Sequence, residues 1–103
     1  MDTLDKIIND KKLILISGPC VIENEKITFD IAEKIKRICN KLNVSFIFKA
    51  SYKKENRTKL NSFRGPGLEK GISILTKIKK NLQIPIITDF HNADDIKKAG
   101  DLV

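Results

Sequence analysis

No apolar run in this 103-residue sequence approaches the roughly 20 residues that a membrane-spanning helix needs, which argues against a helical membrane protein. The opening residues Met1-Asp2-Thr3-Leu4-Asp5 have neither the basic start nor the apolar stretch of a secretory leader. Cysteine is scarce too: Cys20 and Cys39 stand in unlike contexts and suggest no disulfide framework, so a cytoplasmic chain with reduced thiols is expected. Arginine is limited to Arg37, Arg57 and Arg64, so the net charge of +7 is almost entirely lysine, spread along the chain. Base readout leans on arginine and on aromatic platforms, and no nucleic-acid partner is expected; mild steering of anionic substrates is. Gly-x-Gly-x-x-Gly and Walker loops are missing after the first apolar run, which disfavours a nucleotide-binding open sheet. Repeats, low-complexity tracts and linkers are missing as well.

What is present is alternation. With 41% apolar residues, the chain can fill a core of ordinary density. Leu13-Ile14-Leu15-Ile16 is a continuous apolar run stopped by Ser17-Gly18-Pro19 and predicts a strand buried on both faces. Ile27, Ile31, Ile35, Ile38 and Leu42 then recur at helical steps behind Asn24, a candidate N-cap. Val44-Ser45-Phe46-Ile47-Phe48 predicts a second strand, and Leu68, Ile72, Leu75, Ile78 and Leu82 the stripe of a second helix opening near Pro66-Gly67. Ile84-Pro85-Ile86-Ile87 predicts a third strand, with Pro85 tolerable near its start. Asn92 caps a short third helix through Ala93, Ile96 and Ala99, ended by Gly100. Leu4, Ile7 and Ile8 give residues 1–12 a helical spacing, read as an accessory segment before a domain over residues 13–103.

This order is that of a parallel α/β sheet with helices outside it, either an open doubly wound sheet or a barrel. Asp101-Leu102-Val103 reads as the opening of a fourth strand, and a (β/α)8 TIM barrel needs about 250 residues. The expectation is the N-terminal (β/α)3 part of such a barrel.

Parallel α/β sheets carry their chemistry at the carboxyl ends of the strands. Those ends read Gly18-Pro19-Cys20, Lys49-Ala50-Ser51 and Thr88-Asp89-Phe90-His91, so the reactive side chains fall on one rim. Cys20 is either a soft metal ligand or nucleophile, or a small thiol packed under the rim; Cys39, on the first helix, is read as core. Lys49 ends an apolar strand, and an anionic ligand explains its cation more economically than burial. Ser51 lies two residues on, in the same direction along an extended chain. Lys54, Asn56, Arg57 and Thr58 follow as a loop of donors in which Arg57 can grip a phosphate bidentately, the alternative being a solvated basic loop. Asp89 and His91, two apart, can face one side together; a lone histidine is as readily structural as catalytic.

Nearly the whole chain resembles the 3-deoxy-D-manno-octulosonate 8-phosphate synthase family. The resemblance rests on Gly18-Pro19-Cys20-Val21-Ile22-Glu23, Phe48-Lys49-Ala50-Ser51, Asn56-Arg57-Thr58, the block from Ser62-Phe63-Arg64-Gly65-Pro66-Gly67 to Gly71, and Ile87-Thr88-Asp89-Phe90-His91. The seven-carbon relative, 3-deoxy-D-arabino-heptulosonate 7-phosphate synthase, typically has Lys-Pro-Arg-Thr in its loop, and Lys54-Glu55-Asn56-Arg57 favours the eight-carbon enzyme. Glu55 and Lys59 stand where that family more often has small residues.

The resemblance implies a barrel enzyme condensing phosphoenolpyruvate with arabinose 5-phosphate, releasing phosphate, on the way to a lipopolysaccharide sugar. It implies phosphoenolpyruvate contacts from Lys49 and Ser51, Lys54 between the substrates, and Asn56, Arg57 and Thr58 on arabinose 5-phosphate. It further implies Cys20 as ligand of a divalent metal ion, Asp89 and His91 in the polar wall beside the substrates, and a homotetramer. Two other readings stand beside it: a noncatalytic remnant or half-barrel needing a partner chain, and a basic anion or RNA binder.

Overall fold

The computed structural model describes residues 3–53, 65–100 and 102. Seven elements follow in chain order: α1 (Thr3–Asn9), β1 (Ile14–Ser17), α2 (Glu25–Leu42), β2 (Ser45–Lys49), α3 (Leu68–Leu82), β3 (Ile86–Ile87) and α4 (Ala93–Ala99). The strands form one parallel sheet in the order β1-β2-β3, with Ile14 opposite Ser45 and Lys49 opposite Ile87. This is the α/β architecture that the alternation predicts.

The pleat of β2 sorts the molecule into two sides. Phe46, Phe48, Ala50 and Tyr52 all belong to the core, where they meet Ala32 and Cys39 of α2 and Ile74, Leu75, Ile78 and Leu82 of α3. Successive side chains of a strand point to opposite faces, which puts Ile47, Lys49 and Ser51 on the other side. Chemistry and core therefore come from alternate residues of one strand.

Helix ends follow local chemistry. The Asn24 side chain accepts from the Ile27 N–H at 2.8 Å and starts α2, and Asn92 does the same for α4 through the Asp95 N–H at 2.9 Å. Asn43 and Gln83 close α2 and α3 in the left-handed region, each giving its N–H back to the last turn.

Four expectations change. β1 is not buried on both faces: Leu13, Ile14, Leu15 and Ile16 are exposed, because the core against α2 and α3 takes residues of β2 and β3 and none of β1, which lies at one edge of the sheet. In α2 the buried line is Thr28, Ala32 and Cys39; of the expected stripe Ile31 and Ile35 pack partly buried against the core, while Ile27, Ile38 and Leu42 are exposed. The helix is thus rotated from its most apolar stripe, with small side chains set against the core. β3 has two residues rather than four; Ile84 and Pro85 precede it, and the Pro85 carbonyl still accepts from the Phe48 N–H at 3.0 Å. In α4 only Ala99 is buried and Ile96 faces outward.

Cys39 is core, as expected, and burial pushes its thiol above the ordinary range. No helix among the described residues is long and apolar enough to cross a membrane.

Candidate active-site rim

Beyond the last ladder pair, β2 and the chain after β1 stay together. Val21 bridges Ser51, and the Ile22 N–H donates to the Ser51 carbonyl at 2.9 Å. Ser17 faces Phe48 whereas Val21 faces Ser51, so the Gly18-Pro19-Cys20 turn takes up one residue more than the strand beside it. Gly18 is required there: a Cβ would run into the Lys49 carbonyl and the Phe48 ring. The turn is thereby pressed against the backbone that carries Lys49.

Lys49 is exposed at the carboxyl end of β2, and no carboxylate among the described residues pairs with it. Ser51 is buried, and its hydroxyl donates to the Asp89 carboxylate. His91 Nε2 lies 3.8 Å from the other Asp89 oxygen and 3.0 Å from the Lys53 carbonyl. The carbonyl is the nearer partner and has no proton to give, so the proton of this contact belongs to Nε2. Lys49, Ser51, Asp89 and His91 thus gather on adjacent strand ends. Cys20 is exposed in the turn next to them. Lys54, Asn56, Arg57 and Thr58 lie outside the described residues.

No three His, Cys, Asp or Glu side chains among the described residues, Cys20 included, come together to hold an ion. Among the described residues, Cys20 is the one soft donor at the rim. The Thr88 hydroxyl, next to Asp89, is buried without a partner among the described residues.

Tyr52 and Asp95 are the rim residues that sequence reasoning missed. Tyr52 is buried, and its hydroxyl donates to Asp95 Oδ2 at 2.6 Å. A hydrogen bond from the His91 main chain also reaches the phenol oxygen. Burial is the largest cause, and the Asp95 hydrogen bond the next, of a phenol pKa pushed up to about 12. A signal was there to read, since a tyrosine in the core register of a strand needs a partner for its hydroxyl.

A groove of about 1020 Å³ lies elsewhere. It is lined by Leu4, Ile47, Gln83, Ile84, Pro85 and Leu102, toward the start of β3, and includes none of Lys49, Ser51, Asp89 or His91.

A family model described as the DAHP synthetase I family matches residues 4–103. The 2-dehydro-3-deoxyphosphooctonate aldolase of Geobacter sulfurreducens is 51% identical over 95% of this chain and 36% of its own length. That of Desulfatibacillum aliphaticivorans is 53% identical over 88% of this chain and 33% of its own. That of Delftia acidovorans is 48% identical over 91% and 33%. The chain spans about a third of the length of the curated relatives it matches.

Proposed function

Because this chain belongs to the DAHP synthetase I family, we propose that it forms one wall of an enzyme joining phosphoenolpyruvate to arabinose 5-phosphate. The product would be 3-deoxy-D-manno-octulosonate 8-phosphate, with inorganic phosphate released. The name shared by these relatives, 2-dehydro-3-deoxyphosphooctonate aldolase, favours the eight-carbon product over the seven-carbon one. In this reading the chain is the first three β/α units of a (β/α)8 barrel, with residues 1–12 an accessory segment, and the whole enzyme is a homotetramer.

The observation that carries the reading is the convergence of Lys49, unpaired among the described residues, with Ser51, Asp89 and His91 on neighbouring strand ends. The reaction brings together two phosphates and a carboxylate, which a cationic rim holds and orients. Lys49 binds the phosphoenolpyruvate anion. Ser51 exchanges its Asp89 partner for a phosphate oxygen, and the freed carboxylate turns toward His91. Lys54, between the substrates, and Asn56, Arg57 and Thr58, on the sugar phosphate, complete this wall. The enol carbon C3 attacks the aldehyde, water adds at C2, and phosphate leaves by C–O cleavage. Cys20 is the one soft donor among the described rim residues and would hold a divalent ion only together with further ligands.

Two measurements test this. Joined to the remaining two thirds of the Geobacter sulfurreducens relative, the chain should release phosphate from phosphoenolpyruvate with arabinose 5-phosphate. Preference for a four-carbon sugar phosphate would instead favour the seven-carbon reaction, and no release with either sugar would overturn the reading. In the same chimera, Lys49→Ala should weaken phosphoenolpyruvate binding by about tenfold or more, the scale of one charge-assisted contact. The exposed apolar β1 favours a second reading, a half-barrel completed by a separate chain. Phosphate release on mixing this chain with a separately expressed remainder would select it.

A further inference from the structure

Tyr52 stands at the centre of contacts that no substrate role accounts for. Its ring meets the His91 ring edge-on, with centroids 5.4 Å apart at 85°, and the Phe90 ring at 6.2 Å. Its hydroxyl joins Asp95 of α4 to the His91 main chain. Its own carbonyl accepts from the Gly67 N–H at 3.2 Å. On the other side Gly71 of α3 lies so close that a Cβ there would collide with the Tyr52 Cβ. The next residue, Lys53, supplies the carbonyl that faces His91 Nε2.

The imidazole is therefore framed by two successive residues, with the Tyr52 ring on one edge and the Lys53 carbonyl on one nitrogen. The phenol hydroxyl holds that frame to α4. Without it, the His91 N–H and the half-buried Asp95 carboxylate lose a shared partner, and α4 loses this tie to the residues that frame the imidazole.

On the reading that this rim is the substrate wall, we infer that Tyr52, anchored by Asp95, is a positioning residue that holds the His91 imidazole in its Nε2–H tautomer. That tautomer directs Nδ1, the basic nitrogen, away from the Lys53 carbonyl.

His91 is the only histidine, so its ring signals in a proton–nitrogen correlation spectrum of the 103-residue chain are unambiguous. At about pH 8, where an ordinary imidazole is neutral, the wild-type chain should show the Nε2–H pattern. Tyr52→Phe keeps the ring and removes only the hydroxyl; it should shift the ring nitrogens toward the average of both tautomers. Asp95→Ala should do the same, and Asp95→Asn, which keeps an acceptor oxygen, should restore the wild-type pattern.

An unchanged ring spectrum in Tyr52→Phe would overturn the inference, as would an averaged pattern already in the wild type. Loss of dispersed backbone amide signals in both Tyr52→Phe and Asp95→Ala would also overturn it, by making the contact one of general stability. The readout needs no substrate, so it can fail while the chimera still turns over, or hold while the chimera is inactive.

Discussion

At the residue scale, the rim shows one strand serving two purposes through its pleat. Lys49 and Ser51 carry polar chemistry while Phe48, Ala50 and Tyr52 build core. The places of Lys49 and Ser51 at the end of β2 were readable from sequence, because polar residues that close an apolar run mark where the strand leaves the core. Their partners were not. Asp89 is 38 residues from Ser51 and Asp95 is 43 from Tyr52, and only strand pairing brings such distant groups together. The buried phenol makes a pH prediction at this scale. A folded-state pKa of about 12 against an ordinary 10 means that above pH 10 the unfolded chain loses this proton first. Tyr52 therefore contributes stability that is full below about pH 10 and is lost as pH rises through about 12. Tyr52 is the only tyrosine and the chain has no tryptophan, so ultraviolet absorbance can follow the ionisation directly. The native transition should fall near 12, and in Tyr52→Phe this part of the alkaline destabilisation should disappear from urea unfolding midpoints.

At the scale of elements, boundaries were more legible than faces. Asn24 and Asn92 act as the N-caps their positions suggested, since a cap is a contact between residues three apart. Asn24→Ala should destabilise the chain by about 1 kcal/mol, measured by urea unfolding, by leaving the Ile27 N–H without its acceptor. The face of α2 was harder to read. Its apolar stripe runs through Ile27, Ile31, Ile35, Ile38 and Leu42, yet only Ile31 and Ile35 of these pack against the core, beside the buried Thr28, Ala32 and Cys39. Periodicity reports where a helix is apolar, not which flank a given sheet uses. α3 shows the easier case: Leu75, Ile78 and Leu82 are all buried, and Gly71 lets the helix close onto Tyr52.

At the scale of the whole molecule, the most telling surface is the edge strand. Leu13 is 75% exposed and Ile16 51%, and both belong to a run that reads as fully buried. Exposed apolar edge strands favour association. The chain should therefore bind an apolar dye and self-associate with rising concentration, and Leu13→Lys with Ile16→Lys should reduce both. Substitutions at such open positions should change unfolding free energy by no more than about 0.5 kcal/mol. The sequence alone determined the element types and their alternation, because hydrophobic period, caps and turn residues act over a few neighbouring positions. It also marked the polar residues that follow each of the three strands. Only the tertiary structure decided which side of each element meets the core, that Ser51 engages Asp89, and that Tyr52 ties Asp95 to His91. Those outcomes depend on how strands pair and helices rotate against one sheet, a balance among contacts far apart in the chain that no local pattern encodes.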